Sequence, residues 1–313
     1  MTQVEDVTRQ LRLDRDAKAQ QFFEHAAYNH WDPYEDIPQE MVDADRQTII
    51  DYDIAEEEFE ELMLALALFG AGEEAVTEDL APLMLALDDV NKQMFVSSQI
   101  YDEAKHTQFF DRTWREIIVP AAEAHGFDVT YPTDQRFFNE EYVELFDRTE
   151  TAMERLLTDD TPENRVKAYC HYHLVVESVL AQTGYYGLQS ALSDHGDDIA
   201  VGEFPNSESV ATGIGYIRAD EGRHVGFGMH EIRQHVHEDG VDTQVVHDTL
   251  MDLMPLVAST LSRFGATVDP VALVDYSRDK FTRRIEVLTN EAAEIPDIET
   301  LVDLDAQGPA SAD

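Results

Sequence analysis

Residues 101–106 read Tyr-Asp-Glu-Ala-Lys-His, and residues 219–224 read Ala-Asp-Glu-Gly-Arg-His. Each holds a glutamate with a histidine three positions on, Glu103–His106 and Glu221–His224, a spacing that puts both side chains on one face of an α-helix. Two further stretches belong with them: Gly-Glu-Glu-Ala-Val-Thr at 72–77 and Tyr-His-Leu-Val-Val-Glu at 172–177. In all four, a carboxylate interrupts an apolar row at helical spacing. The rows are Phe69–Glu73–Val76, Ile100–Glu103–Phe110, Leu174–Glu177–Leu180 and Ile217–Glu221–Val225. A buried carboxylate without a partner is costly, so four of them require compensation. In chain order the set reads Glu, Glu-x-x-His, Glu, Glu-x-x-His, the ligand pattern of a two-metal carboxylate site inside a helical bundle. Four carboxylates balance two divalent ions. An oxygen-rich set with one imidazole per ion suits iron or manganese.

The same periodicity fills the chain, and no run alternates in the manner of a strand. It predicts four long helices over 55–86, 89–119, 162–193 and 207–238, with others near 138–157, 243–265 and 270–291. Thr161-Pro162-Glu163 supplies an N-cap, a proline at the first helical position and an early carboxylate. Pro205-Asn206-Ser207 opens the fourth long helix in the same way. Gly126 and Gly240 read as helix stops. The hairpins give a check on the ligand set: Glu73 and Glu103 are equidistant from Asp88, in the Asp88-Asp89 break, and Glu177 and Glu221 from Ile199, in a polar loop. Both pairs should therefore meet at similar heights. The fold class is all-α, a four-helix bundle core with additional helices, in a single domain over 1–294 with an acidic mobile tail at 295–313.

Several residues carry a plainer reading. His171 and His173 flank the core face of the third long helix and read as packing groups or partners of the ligands. His230, His235 and His237 read as surface, Cys170 as a small buried hydrophobe, and Glu56-Glu57-Glu58 as a solvated helix start. Glu74 neighbours Glu73, but Glu73 fits the apolar row. Gly184, Gly187 and Gly213 lie on core helices, where they would either leave room for an apolar pocket or allow close helix packing.

Lys+Arg number 22 against 65 Asp+Glu, a net charge of −43. Such a surface repels nucleic acid and anionic membranes, so neither is an expected partner. The acidic residues are spread along the chain, which points to adaptation to a salty (halophilic) cytoplasm rather than to one binding patch. With Cys170 alone, no intrachain disulfide can form. The first residues lack the apolar run of a signal peptide, and the longest apolar stretch, Leu62 to Gly72, is too short to span a bilayer. The expected location is the cytoplasm, with no membrane span.

The four motifs together resemble the ribonucleotide reductase small-subunit superfamily, whose fold is ferritin-like, over roughly residues 55–265. Within it, the chain is most similar to the ligand-binding oxidases that share the fold but not the reductase reaction. In those proteins a valine follows the first ligand glutamate by three residues, a tyrosine precedes the third-helix ligand by five, and an ether joins the two. Here Val76 follows Glu73 and Tyr172 precedes Glu177 at those spacings. The resemblance implies manganese near Glu73, Glu103 and His106, and iron near Glu177, Glu221 and His224, with two iron ions as the alternative. It also implies reaction with dioxygen, a long-chain fatty acid whose carboxylate meets the metals, and a homodimer. Two spacings depart from the family: the Glu73–Glu103 segment is shorter and the Glu177–Glu221 segment longer, with an extra polar loop at 193–206.

Two other functions compete. A working ribonucleotide reductase small subunit commonly has a tyrosine one turn beyond the histidine of the second helix, and needs an aromatic relay near its C-terminus. Here Phe110 holds the first position and nothing after Phe281 is aromatic. An iron-storage bundle should form a cage, which the long C-terminal helices disfavour.

Overall fold

The computed structural model describes residues 13–193, 199–201, 204–296 and 298. Eleven α-helices are assigned among them. The first two, α1 (Lys18–Tyr28) and α2 (Gln39–Asp51), precede the region whose periodicity predicted helices. The bundle core is then built from α3 (Glu56–Ala86), α4 (Val90–Thr113), a long third element and α9 (Glu208–His237). That third element is continuous: α7 (Pro162–Tyr169) runs into a π-helix, Cys170–Ala181, and on into α8 (Gln182–Leu192). A shorter π-turn at Trp114–Ile118 carries α4 into α5 (Val119–His125). Outside the core lie α6 (Glu140–Arg155), α10 (Thr243–Leu261) and α11 (Pro270–Thr289).

The ends follow local chemistry. Asp89 turns the α3–α4 hairpin by accepting from the amides of Asn91 and Lys92, and Thr161 caps α7 through Asn164. Gly126 and Gly240 stop their helices at φ 75° and 77°, a left-handed backbone that a side chain would resist. The start of α9 is capped from another helix: the Asp45 carboxylate on α2 accepts from the amides of Glu208 at 3.0 Å and Ser209 at 2.8 Å. A carboxylate there satisfies free amides and opposes the helix dipole, and it pins α2 to the helix that carries Glu221 and His224.

The π-helix places the third ligand candidate. In an α-helix, residues five apart diverge by about 140°; in a π-helix they are one hydrogen-bonded turn apart. Tyr172 and Glu177 have that spacing inside Cys170–Ala181, and both are buried. The long apolar rows of α3, the π-helix and α9 form one continuous core.

Among the described residues no strand forms beyond an isolated bridge between Ala200 and Val268, and no helix is long and apolar enough to cross a membrane. Most of the expected tail at 295–313 lies outside the described residues, as do parts of the polar loop at 193–206. Cys170 is buried and its thiol is pushed up by that burial. His237 is exposed, as expected of a surface residue. The surface expected for His235 is corrected, because its ring is buried against Tyr169 and its Nδ1 meets Asp239 at 2.7 Å.

Candidate metal centre

Four core segments bring six side chains to one point. Glu73 comes from α3, Glu103 and His106 from α4, Glu177 from the π-helix, and Glu221 and His224 from α9, and all six are buried. Glu74, one residue from Glu73, faces solvent. His106 Nδ1 lies 3.1 Å from Glu103, 3.2 Å from Glu73 and 3.7 Å from Glu221. His224 Nδ1 lies 3.1 Å from Glu103, 3.4 Å from Glu221 and 3.5 Å from Glu177. Two groups result, Glu73–Glu103–His106–Glu221 and Glu103–Glu177–His224, each with one ligand atom per residue within 4.8 Å of the others. Glu103 belongs to both.

Three of the ligand atoms are close to others without being paired. His224 Nδ1, Glu177 Oε2 and Glu221 Oε2 are buried and make no hydrogen bond, although carboxylate oxygens lie 3.1 to 3.5 Å from that nitrogen. Side chains aimed at a common third point, rather than at each other, have this arrangement. Burial pushes Glu73 up to about 8 and raises Glu177 strongly and Glu221 as well, each against neighbouring carboxylates. Glu103 is the exception. Burial works to raise it too, but His224 and His106 outweigh that and hold it well below the ordinary range. Burial thus favours the protonated form of Glu73, Glu177 and Glu221, whereas cations between them would stabilise the ionised set. The orphaned donors and the oxygen-plus-imidazole chemistry fit a pair of divalent iron or manganese ions.

A second layer, which the sequence reading missed, fixes both imidazoles. His106 Nε2 meets Asp220 at 3.0 Å and His224 Nε2 meets Asp102 at 3.4 Å. Lys105 binds Asp102 at 2.7 Å and Asp220 at 2.8 Å. Arg223 binds the same two aspartates. An Nε2–H given to an aspartate would leave each Nδ1, which faces the glutamates, to bind a metal ion once that ion displaces its proton. Trp31, between α1 and α2, donates Nε1–H to Asp220 at 2.8 Å and stacks on His106. On the other side Gln99 donates to Glu177 at 2.7 Å, Tyr172 to Glu103 at 3.3 Å, and Tyr185 to Glu73.

The cluster opens onto a narrow apolar cavity of about 80 Å³. Val76 lines it, beside Gly72, Phe69, Val176 and Leu180. Of the three glycines read as leaving room or allowing close packing, Gly184 and Gly187 line the cavity, and Gly184 is also packed against the Phe69 ring. Gly213 does not: a Cβ there would collide with the Phe109 ring, so it serves close packing.

No protein-family model matches the chain. Solved structures do. A tyrosine-to-phenylalanine variant of an R2-like ligand-binding oxidase with an aerobically reconstituted Mn/Fe cofactor superposes with a TM-score of 0.74 at 28% identity, covering 88% of this chain and 94% of that one. A valine-to-leucine variant with an anaerobically reconstituted Mn/Fe cofactor gives 0.73 and 26% over the same shares. A glycine-to-leucine variant with an Fe/Fe cofactor gives 0.73 and 26%, again covering 88% and 94%.

Proposed function

We propose that this chain, whose fold is that of the R2-like ligand-binding oxidases of the ribonucleotide reductase small-subunit superfamily, is a dioxygen-dependent dimetal-carboxylate oxidase. The observation that carries this reading is the convergence of six buried ligand side chains with orphaned donor atoms and one shared carboxylate, Glu103. By the resemblance, Glu73, Glu103 and His106 would hold manganese and Glu177, Glu221 and His224 iron; the observed grouping adds that Glu103 reaches both ions and that Glu221 stands beside Glu73 and His106 as well. Once bound and exposed to dioxygen, such a pair supplies an oxidant strong enough for an unactivated C–H bond.

The chain's own residues present a substrate for that oxidant. Val76 lies one helical turn from Glu73 on the same face of α3 and lines the cavity. Tyr172 lies one π-turn from Glu177, with its hydroxyl on Glu103. An ether between them forms a C–O bond at the cost of one C–H on Val76 and the O–H on Tyr172. Two protons and two electrons leave, and dioxygen accepts them. Residues fixed as neighbours need no recognition step. The variants studied in the neighbours support the assignment. They change a glycine, the glutamate after it and a valine three positions further, the spacing of Gly72, Glu73 and Val76 here, and also a tyrosine.

The cavity is lined mainly by apolar side chains, and no lysine or arginine lines it. A ligand with a long apolar tail suits the walls, and an anionic head would be neutralised at the metal end, as in a long-chain fatty acid. Phe110 is buried and stacked on Phe69 where a radical-storing reductase subunit commonly has tyrosine, which favours the oxidase over the reductase. Peptide mass mapping after aerobic metal loading tests the reading. A Val76–Tyr172 peptide pair lighter by two hydrogens is expected. Unmodified separate peptides in protein that holds both metals would remove the ether while leaving the metal centre.

A further inference from the structure

Glu73, Phe69, Ala65 and Glu61 lie on α3 at four-residue steps, and all four line the cavity. Across from them, in the opposite chain direction, Glu177, Ala181, Gly184 and Leu188 line it from the π-helix and α8. From Glu73 to Glu61 this path is about 18 Å at 1.5 Å per residue, the scale of an extended acyl tail. Within these two rows the residues are small, flexible or acidic except Phe69; the other aromatic residues of the lining, Tyr142, Phe146, Tyr185, Phe204 and Phe264, stand outside them.

Phe69 stands one turn from Glu73 and reaches across to α8. An added Cβ on Gly184 would overlap its Cζ, and the ring stacks on Tyr185 with centroids 4.3 Å apart and on Phe110 at 5.7 Å. Leu62 to Leu68, before it on α3, are buried, as is Phe110, whereas Phe69 is only half-buried. Phe69 is also among the residues that line the cavity. A ligand tail running from the metals toward Glu61 must pass this ring.

We infer that Phe69, seated on Gly184, is the residue that sets the width of the cavity and selects a slim, unbranched tail over a methyl-branched one. The inference rests on the fatty-acid reading above. Gly184 matters because it gives the ring its seat. A methyl group there displaces the far end of a flexible side chain, and with Tyr185 and Phe110 already packed against the ring, its open direction is into the cavity.

The test uses lipid-stripped, metal-loaded protein offered equal amounts of palmitate and phytanate, with the bound acids measured by mass spectrometry and the metals by elemental analysis. Wild type should take palmitate in preference. Phe69→Ala should reduce that preference about tenfold or more, the scale on which pockets discriminate single methylenes, with metal content unchanged. Gly184→Ala should lower palmitate uptake at unchanged metal content. An unchanged preference in Phe69→Ala, or in Phe69→Leu should the alanine variant not fold, overturns the assignment of Phe69. Wild type that holds two metals but takes up neither acid fails at the fatty-acid reading itself, and the inference falls with it.

Discussion

His106 and Asp220 meet at 3.0 Å through Nε2 and a carboxylate oxygen, and His224 repeats the contact with Asp102 at 3.4 Å. The two contacts are related by exchange of helices: each aspartate precedes the glutamate of one Glu-x-x-His motif and serves the histidine of the other. Lys105 and Arg223 bridge both aspartates, so four buried charges cancel in pairs. Such a layer orients the imidazoles and strengthens them as ligands, and its loss typically costs 10–100-fold in metal affinity. Asp220→Asn and Asp102→Asn should each weaken metal binding by about that factor, measured by competition with a chelator. Wild-type affinity in both would show that the layer only fills space.

Glu103 contributes to both metal groups, whereas Glu73 and Glu177 each contribute to one. Glu103→Ala should therefore lower the content of both ions, and Glu73→Ala chiefly that of one. Elemental analysis and anomalous scattering at the manganese and iron edges distinguish these results. Equal losses in the two variants would mean that Glu103 is not shared.

Much of this site was legible because burial imposes a period. A glutamate on an apolar helical row stands out, and Glu73, Glu103, Glu177 and Glu221 all fell on such rows. The partners were harder. Asp102, Lys105, Asp220 and Arg223 lie inside the two motifs that decided the fold, as Asp-Glu-x-(Lys/Arg)-His, and that repeated pattern was an available signal. Trp31 and Tyr185 had none, since tertiary packing alone brings Trp31 to Asp220 across 189 residues and Tyr185 to Glu73 across 112. The π-helix was hidden as well, because reading at 3.6 residues per turn cannot distinguish it from an α-helix.

Away from the metals, Asp79 on α3 is buried, and that burial, with Glu150, Glu78 and Glu154 nearby, raises its pKa from 3.8 to about 7. The folded state thus holds a proton between those values that the unfolded chain gives up, so stability falls as pH rises through this window and levels off above it. Asp79→Asn should melt higher than wild type at pH 8, with a smaller gain at pH 5, where Asp79 is already neutral in the fold. Thermal melts at the two pH values decide it; a gain that does not shrink at the lower pH would count against the shift.

The net charge of −43 makes the same problem global. Most of the arginines and lysines are engaged with nearby carboxylates, as in Arg148–Asp252 at 2.8 Å and Lys167–Glu163 at 2.7 Å. With 65 acidic residues and 22 basic ones, carboxylates still outnumber the cationic side chains by 43. Their mutual repulsion acts against the compact state. The screening length falls from about 10 Å at 0.1 M salt to about 3 Å at 1 M, so added potassium chloride should raise the melting temperature markedly. Screening has a recognisable profile: the gain should be steepest at low salt and flatten once the screening length drops below the spacing of surface charges. An ion-exclusion effect on apolar burial would instead keep rising with concentration. The measurement is a melting series in potassium chloride on metal-loaded protein, repeated on protein stripped of metal so that ligand binding does not mask the trend. A steep early rise in both forms supports adaptation to a salty interior. A melting temperature indifferent to salt would mean that the acidic surface is already neutralised by other means, and the halophilic reading would fail.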